Sequence, residues 1–342
     1  MFFDGVVGNP PYQVATGTGN FAAPIYHEFI KIAYNEKLTK KASLIHPARF
    51  LFNAGAIPGD FMKNFLQNRH VRVEHYEPDA KEFFPTSEIK GGIAITEFDA
   101  TKTFDAIGIF IPFDELKSIH KKVVRDNKNF KPFSEIIYPA TIYRLTRKFH
   151  EDNPNAVKSI SSGHENDFST ILMKRFSNLF FDEKPDDGHE YFQAHGLMNG
   201  LRFCKWFRRD WINNPEPFDK WKVLIPESNG SGALGEVVST PLVGLPLVGC
   251  TQTFITVGAF DTRAEAEACH AYIKSKFCRV MLGILKVTQH NPPATWAMVP
   301  MQDFTSESDI DWSGDVDAQL YRKYNLDDAE IKFIESKVKE MT

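Results

Sequence analysis

The opening of the chain constrains its backbone more than any other stretch. Phe3-Asp4-Gly5-Val6-Val7-Gly8 reads as a short buried strand that runs straight into Asn9-Pro10-Pro11-Tyr12. The two prolines carry no N–H and hold φ at about −65°, so neither can continue a central strand. The strand must therefore stop here, at a stiff turn that presents carbonyl oxygens, flanked by one amide side chain and one aromatic ring. A second Asn-Pro-Pro, Asn291-Pro292-Pro293, is followed by Ala294 and preceded by no strand. It reads as an ordinary turn.

The segments that follow alternate in type. A polar, glycine-containing loop is expected over Gln13–Asn20, then a helix opened by Pro24 with Ile25, Phe29, Ile32 and Ala33 at helical spacing. Ala42–His46 is expected as a buried strand closed by Pro47, and Asp60–Gln67 as a helix with Phe61, Phe65 and Leu66 on one side. Val71, Val73 and His75 alternate as on a strand, and Ile93 and Ile95 lie on another after Gly91-Gly92. Strands alternating with helices imply an α/β sheet with crossovers.

Taken together, these residues resemble the second half of a gamma-type adenine-N6 DNA methyltransferase, most similar to the large type IIG restriction–modification methylases. The resemblance rests on Asn9-Pro10-Pro11-Tyr12, Tyr26–Asn35, Ser43–Phe50, Phe83-Phe84-Pro85 and Lys90–Ile95, in that order. It covers residues 1 to about 100 well and the remainder loosely. It implies a partial Rossmann-like methyltransferase sheet over 1–102 and a mixed α+β target-recognition region over 103–300. An acidic helical tail over 301–342 completes the expected organisation.

The implied chemistry suits the residues. An exocyclic amino nitrogen is a poor nucleophile because its lone pair is delocalised into the ring. Asn9 and the Pro10 carbonyl can both accept hydrogen bonds from it, drawing the nitrogen towards tetrahedral geometry for attack on a methyl sulfonium. Pro11 stiffens the turn, and Tyr12 offers a stacking face to a base swung out of the duplex. In such enzymes an aromatic followed by Pro also stacks on the flipped base; Phe84 fits that place, with Phe83 as the alternative. Asn before the two prolines, with the gamma order, favours adenine over cytosine.

The implied cofactor is S-adenosylmethionine, bound in this family by a Gly-rich loop after the first strand and an acidic residue ending the second. In the gamma order these precede the Asn-Pro-Pro-Tyr turn, yet only eight residues come before Asn9. Leu242–Gly249, the best late candidate, has Pro246 between its glycines and no acidic strand end after it. A partner polypeptide, or a missing N-terminal segment, is therefore expected to carry the cofactor loop. The alternative is a catalytically incomplete DNA-binding or specificity module that needs a partner chain.

Charge distribution bears on the expected partner, double-stranded DNA. The net charge of −4 is unevenly spread. Leu116–Lys148 holds nine Lys/Arg against two acidic residues, whereas Gln302–Thr342 holds eleven acidic against five basic. A basic face with a solvated acidic end suits DNA contact, which nominates Lys121, Lys122 and Arg125. Arg202, Lys205, Arg208 and Arg209, interleaved with Phe203, Trp206, Phe207 and Trp211, form a second candidate set. Lys274, Lys276 and Arg279 are expected on one long helix that runs from a Thr262/Glu265 capping box as far as Lys286. Ser228–Gly235 reads as a turn open to close backbone approach.

Other classes are not supported. Cys204, Cys250, Cys269 and Cys278 have no metal-like spacing and are expected as reduced core thiols of a cytoplasmic, DNA-associated prokaryotic protein. No metal site is expected, since the clustered Asp309-Ile310-Asp311 and Asp327-Asp328 match no calcium loop. Pro185-Asp186 lacks the Glu-x-Lys pair of a nuclease, and no apolar run approaches a membrane span.

Overall fold

The computed structural model describes residues 2–15, 22–52, 56–86, 89, 91–160, 163–230, 232–238 and 240–341. The chain divides into two units: Met1–Lys117 with Ser231–Ala233, and Ser118–Gly230 with Leu234–Thr342. No helix among the described residues is long and apolar enough to cross a membrane.

The first unit is built on one four-stranded sheet. Its strands are β1 (Val6–Gly8), β4 (Lys41–Pro47), β5 (Val71–Glu77) and β6 (Ile93–Asp99), and its order is β1-β4-β6-β5. A small hairpin of β2 (Gln13–Ala15) and β3 (Ala22–Pro24) follows β1. β1 runs parallel to β4, and β6 is antiparallel to both β4 and β5. Three strands thus point one way with a reversed strand inserted between the second and third. β6 lies inside the sheet and is buried at nearly every position, as expected of a strand covered on both faces.

The helices α1 (Tyr26–Ala33) and α2 (Gly59–Gln67) pack their apolar sides inward. α2 buries Phe61, Phe65 and Leu66, the face its sequence pattern gives. α1 differs from expectation. It buries Tyr26, His27, Ile30 and Ala33, leaving Phe29 and Ile32 exposed. The tyrosine and histidine carry enough ring surface to be the inner stripe, displacing the more apolar residues outward. Pro24 does not open the helix; it closes β3 opposite Gln13, where its missing N–H is harmless. Within the loop expected over Gln13–Asn20, Gln13–Ala15 is β2 and 16–20 lie outside the described residues, as does Lys90.

The first strand is also not a buried one. β1 is three residues long at the edge of the sheet, with Val7 87% exposed and Phe2 and Phe3 open to solvent. Its apolar residues suggest a core strand, but no strand lies on its outer side among the described residues.

The second unit is mixed. β7 (Ile137–Tyr138), β10 (Trp221–Pro226), β11 (Leu242–Gly244) and β13 (Phe254–Phe260) form an antiparallel sheet in the order β11-β10-β13-β7. β8 (Tyr191–Met198), β9 (Leu201–Arg208) and β12 (Val248–Cys250) form a second sheet. An aromatic core including Phe149, Phe168, Phe180, Phe192, Phe207 and Trp211 packs with it. The long helix expected from Thr262 is two helices, Arg263–Lys274 and Lys276–Leu282. Ser275 adopts extended ψ between them and its Oγ accepts from the Cys278 N–H, so it caps the second helix. Cys250, Cys269 and Cys278 are buried free thiols, whereas Cys204 is exposed on β9, a departure from the expected core position.

Candidate functional site

The topology of the first unit gathers four segments at one edge. β1, β4 and β5 all end there, followed by Asn9–Tyr12, by Ala48-Arg49 and by the stretch leading to Phe84. The reversed β6 begins there, preceded by Gly91-Gly92, with Ile93 in register with both Pro47 and Glu77. Carboxyl ends of parallel strands are where open α/β sheets bind ligands.

At this edge Asn9 is exposed and free of hydrogen bonds among the described residues, while Pro10 beneath it is buried. The second Asn-Pro-Pro behaves differently. Asn291 is fully buried, and its amide donates to the Pro226 carbonyl at 3.1 Å as an internal brace.

Tyr12 is anchored through its backbone, whose carbonyl accepts from Ile25 N–H at 3.0 Å. Its ring is half-buried, and its hydroxyl is enclosed without a hydrogen-bond partner. Burial raises its pKa, so the phenol stays neutral at physiological pH. The Phe84 ring stands 6.4 Å from it at 82°, which makes a corner with perpendicular aromatic walls. Phe83 turns away to lie against His75, at 5.6 Å. Of the two phenylalanines, Phe84 is the one brought to the turn.

Sequence reasoning missed the layer behind Tyr12. Tyr26 meets Tyr12 edge-on at 6.4 Å and stacks on His46 at 6.0 Å with rings 7° from parallel. His46 is fully buried, its Nε2 shares a hydrogen bond of 2.7 Å with Thr96 Oγ1, and burial lowers its pKa to about 4. It is therefore a neutral packing imidazole. The available signal was His46-Pro47 ending a strand: a polar ring at the carboxyl edge.

The cations expected to meet DNA are largely engaged within the second unit. Lys122 reaches Glu330 at 2.6 Å and Asp327 at 3.2 Å. Lys121 and Arg125 are exposed, each with a weak pairing to Asp126 at 4.0 and 3.3 Å. On β9, Arg202 donates to the Thr240 carbonyl and Lys205 to Asp182. Arg208 makes two bonds of 2.7 Å to Asp210 and lies 5.0 Å from the Trp211 ring. Arg209 donates to Ile212 O at 2.9 Å and covers Phe218 at 4.1 Å. Phe207 and Trp211 belong to the core. Lys276 pairs with Glu335 and Glu340, and Arg279 is 3% exposed, so neither offers an open basic face. The Ser228–Gly235 turn is approached closely, but by this chain itself: Gly235, at φ +79°, lies against the Lys337 carbonyl.

A groove of about 470 Å³ in the second unit is lined by Lys122, Lys128, Lys131 and Lys323 together with Asn127, Asn129 and Phe130. Lys128 and Lys131 are exposed and without carboxylate partners among the described residues.

Comparison with known proteins finds likeness within the first unit. Residues 1–84 match the family described as Eco57I restriction-modification methylase. An uncharacterized adenine-specific methylase of Mycoplasma pneumoniae is 34% identical over 96 residues, 27% of this chain and 22% of that protein. The chain thus spans about a fifth of the length of this curated relative. The type IIG restriction endonuclease BpuSI aligns with 94% of this chain and 44% of its own, at 8% identity and a TM-score of 0.30.

Proposed function

We propose, from the relationship of residues 1–84 to the Eco57I restriction-modification methylases, that the chain carries the catalytic back half and the target-recognition region of a DNA adenine-N6 methyltransferase. The observation that supports this most is the exposed Asn9–Tyr12 turn at the strand-end edge, with Phe84 perpendicular to Tyr12.

A flipped adenine entering this corner lies on the face of one ring and meets the other edge-on, both favourable geometries. Asn9 Oδ1 and the Pro10 carbonyl accept from the two N6 hydrogens. These bonds strengthen as the nitrogen becomes tetrahedral and positive, so they favour the transition state over the bound base. The neutral Tyr12 phenol leaves the corner without a competing charge. The rings exclude water from the amino group.

S-adenosylmethionine supplies the methyl group in this family's reaction. The residues described do not by themselves form its cradle. The sheet of the first unit has β1 at its edge, and no Gly-rich strand-to-helix turn with an acidic strand end accompanies it among the described residues. The unpaired side of β1 is where a segment bearing the cofactor loop would add its strand. The second unit then holds the duplex, with the lysine groove as its backbone contact.

The test is expression of the full natural polypeptide or complex in a host lacking DNA methylation, followed by nucleoside mass spectrometry of the host DNA. N6-methyladenine is expected, lost with Asn9→Ala. N4-methylcytosine alone rejects the choice of base, and unmodified DNA rejects the enzyme reading in favour of a binding module.

A further inference from the structure

Arg49 has no part in the chemistry described above. It follows β4 directly, at the same edge as Asn9, and begins the short 3-10 turn Arg49–Phe52. Its side chain is half-buried, with Nε enclosed and without any hydrogen-bond partner. No carboxylate pairs with it among the described residues.

Its path is defined. The stem lies over Gly91, where a Cβ would come 2.5 Å from Arg49 Cγ. Gly91 also holds φ +85°, a conformation that side chains other than glycine's resist. The cation is close enough to Tyr26 to oppose the rise in that phenol's pKa caused by burial. Tyr26 in turn is the ring against Tyr12. A guanidinium is thus carried to within one aromatic layer of the candidate base corner.

Nε is closed to a ligand as it is to water, but the two terminal nitrogens are neither enclosed nor hydrogen-bonded among the described residues, so the outer edge of the fork is free to take an acceptor. The ligand that fits is an oxyanion of fork-matching geometry, and a nucleotide supplies one a single sugar away from its base. We propose that Arg49 grips the phosphate of the nucleotide whose base lies against Tyr12 and Phe84. The phosphate contact would hold the flipped nucleotide by its backbone while the rings hold its base. This rests on the base-site reading given above, and the test separates the two.

Ligand-observed NMR titrations of the full chain with deoxyadenosine, deoxyadenosine 5′- and 3′-monophosphate, and inorganic phosphate provide it. One monophosphate should bind about ten-fold more tightly than the nucleoside at low salt. Arg49→Met should remove that gap and leave nucleoside affinity unchanged, while Arg49→Lys should restore part of it. Gly91→Ala, which displaces the stem without altering charge, should also narrow it; melting curves of each variant establish that the fold persists. Equal affinity for nucleoside and nucleotides, or a gap that survives Arg49→Met, overturns the proposal and leaves the base site standing. Inorganic phosphate binding as tightly as the better nucleotide also overturns it, showing a plain anion site. Failure of deoxyadenosine and both nucleotides to bind overturns the base-site reading along with it.

Discussion

Lys122 and Glu330, far apart in the chain, are joined by an ion pair of 2.6 Å in which the Glu330 side chain is 2% exposed. Glu330 also accepts from the Asp327 N–H in a capping box, so the pair ties the basic segment to the start of the last helix. A basic residue nominated as a DNA contact from the sequence is here engaged by two carboxylates of its own chain. Lys122→Glu places like charges in that buried spot and should lower stability by about 2–4 kcal/mol. Denaturant unfolding measures it; a change below about 0.5 kcal/mol would show that the pair contributes only as a surface contact.

Under the proposed function, the open lysines of the groove are the candidates for backbone contact with DNA. Lys128→Glu and Lys131→Glu should leave stability within about 0.5 kcal/mol, as exposed substitutions do. Each lysine removed from a phosphate contact should reduce the salt dependence of DNA affinity by about one counterion. Filter binding at several salt concentrations reads this directly. An unaltered slope in the double variant moves the contact to Lys121 and Arg125.

Arg208 illustrates the same distinction on β9. With both Asp210 bonds and the Trp211 face lost, Arg208→Ala should destabilise the second unit by about 1–3 kcal/mol. Any loss of DNA affinity should then follow the loss of folded protein and be equal for all sequences. A selective loss for one sequence, with unaltered melting, would make Arg208 a base reader.

If Asn9 holds the amino group as proposed, Asn9→Ala should lower methyl transfer by about a hundred-fold or more while DNA affinity is retained, since such bonds matter most as charge develops. Tyr12→Ala and Phe84→Ala should instead weaken capture of the flipped base, each by about 1–3 kcal/mol. Single-turnover rates set against binding constants distinguish these. A rate for Asn9→Ala within a few-fold of the parent would sink the proposed role.

His46 makes the first unit sensitive to acid. Its folded pKa, about 4, lies below the 6.5 of the free side chain, so between these values the unfolded chain holds a proton that the folded one lacks. Stability is full above pH 6.5, falls as pH drops towards 4, and loses nothing further from this group below that. The total is about 3 kcal/mol at most. Comparing unfolding free energies at pH 7 and pH 4.5 for the parent and His46→Gln checks it; equal pH dependence in both would falsify the assignment.

What the sequence showed, and what it hid, divides by distance along the chain. β4 and α2 were legible because their burial repeats every two residues or every three to four, and β6 because its apolar residues follow the Gly91-Gly92 break, all local signals. The turn at Asn9 was legible because prolines act on their own backbone. The face of α1 was misread because Tyr26 and His27 are amphipathic, and only the neighbouring His46 and Phe61 rings make them the inner side. The fate of the cations was hidden altogether. Lys205 meets Asp182, Arg208 meets Asp152, and Lys276 meets Glu335, pairings that chain spacing does not reveal. The meeting of Tyr12 with Phe84 likewise depends on β6 reversing direction within the sheet.

The brevity of β1 has a consequence for control. Asn9 hangs from three residues paired on one side only. A strand this short frays readily, and the geometry of its turn is then loosely held. A strand laid along its open side would stiffen the turn and complete the sheet in one event. If the turn takes a base as proposed, base capture and the pairing of that strand would be thermodynamically linked, each tightening the other by the same factor.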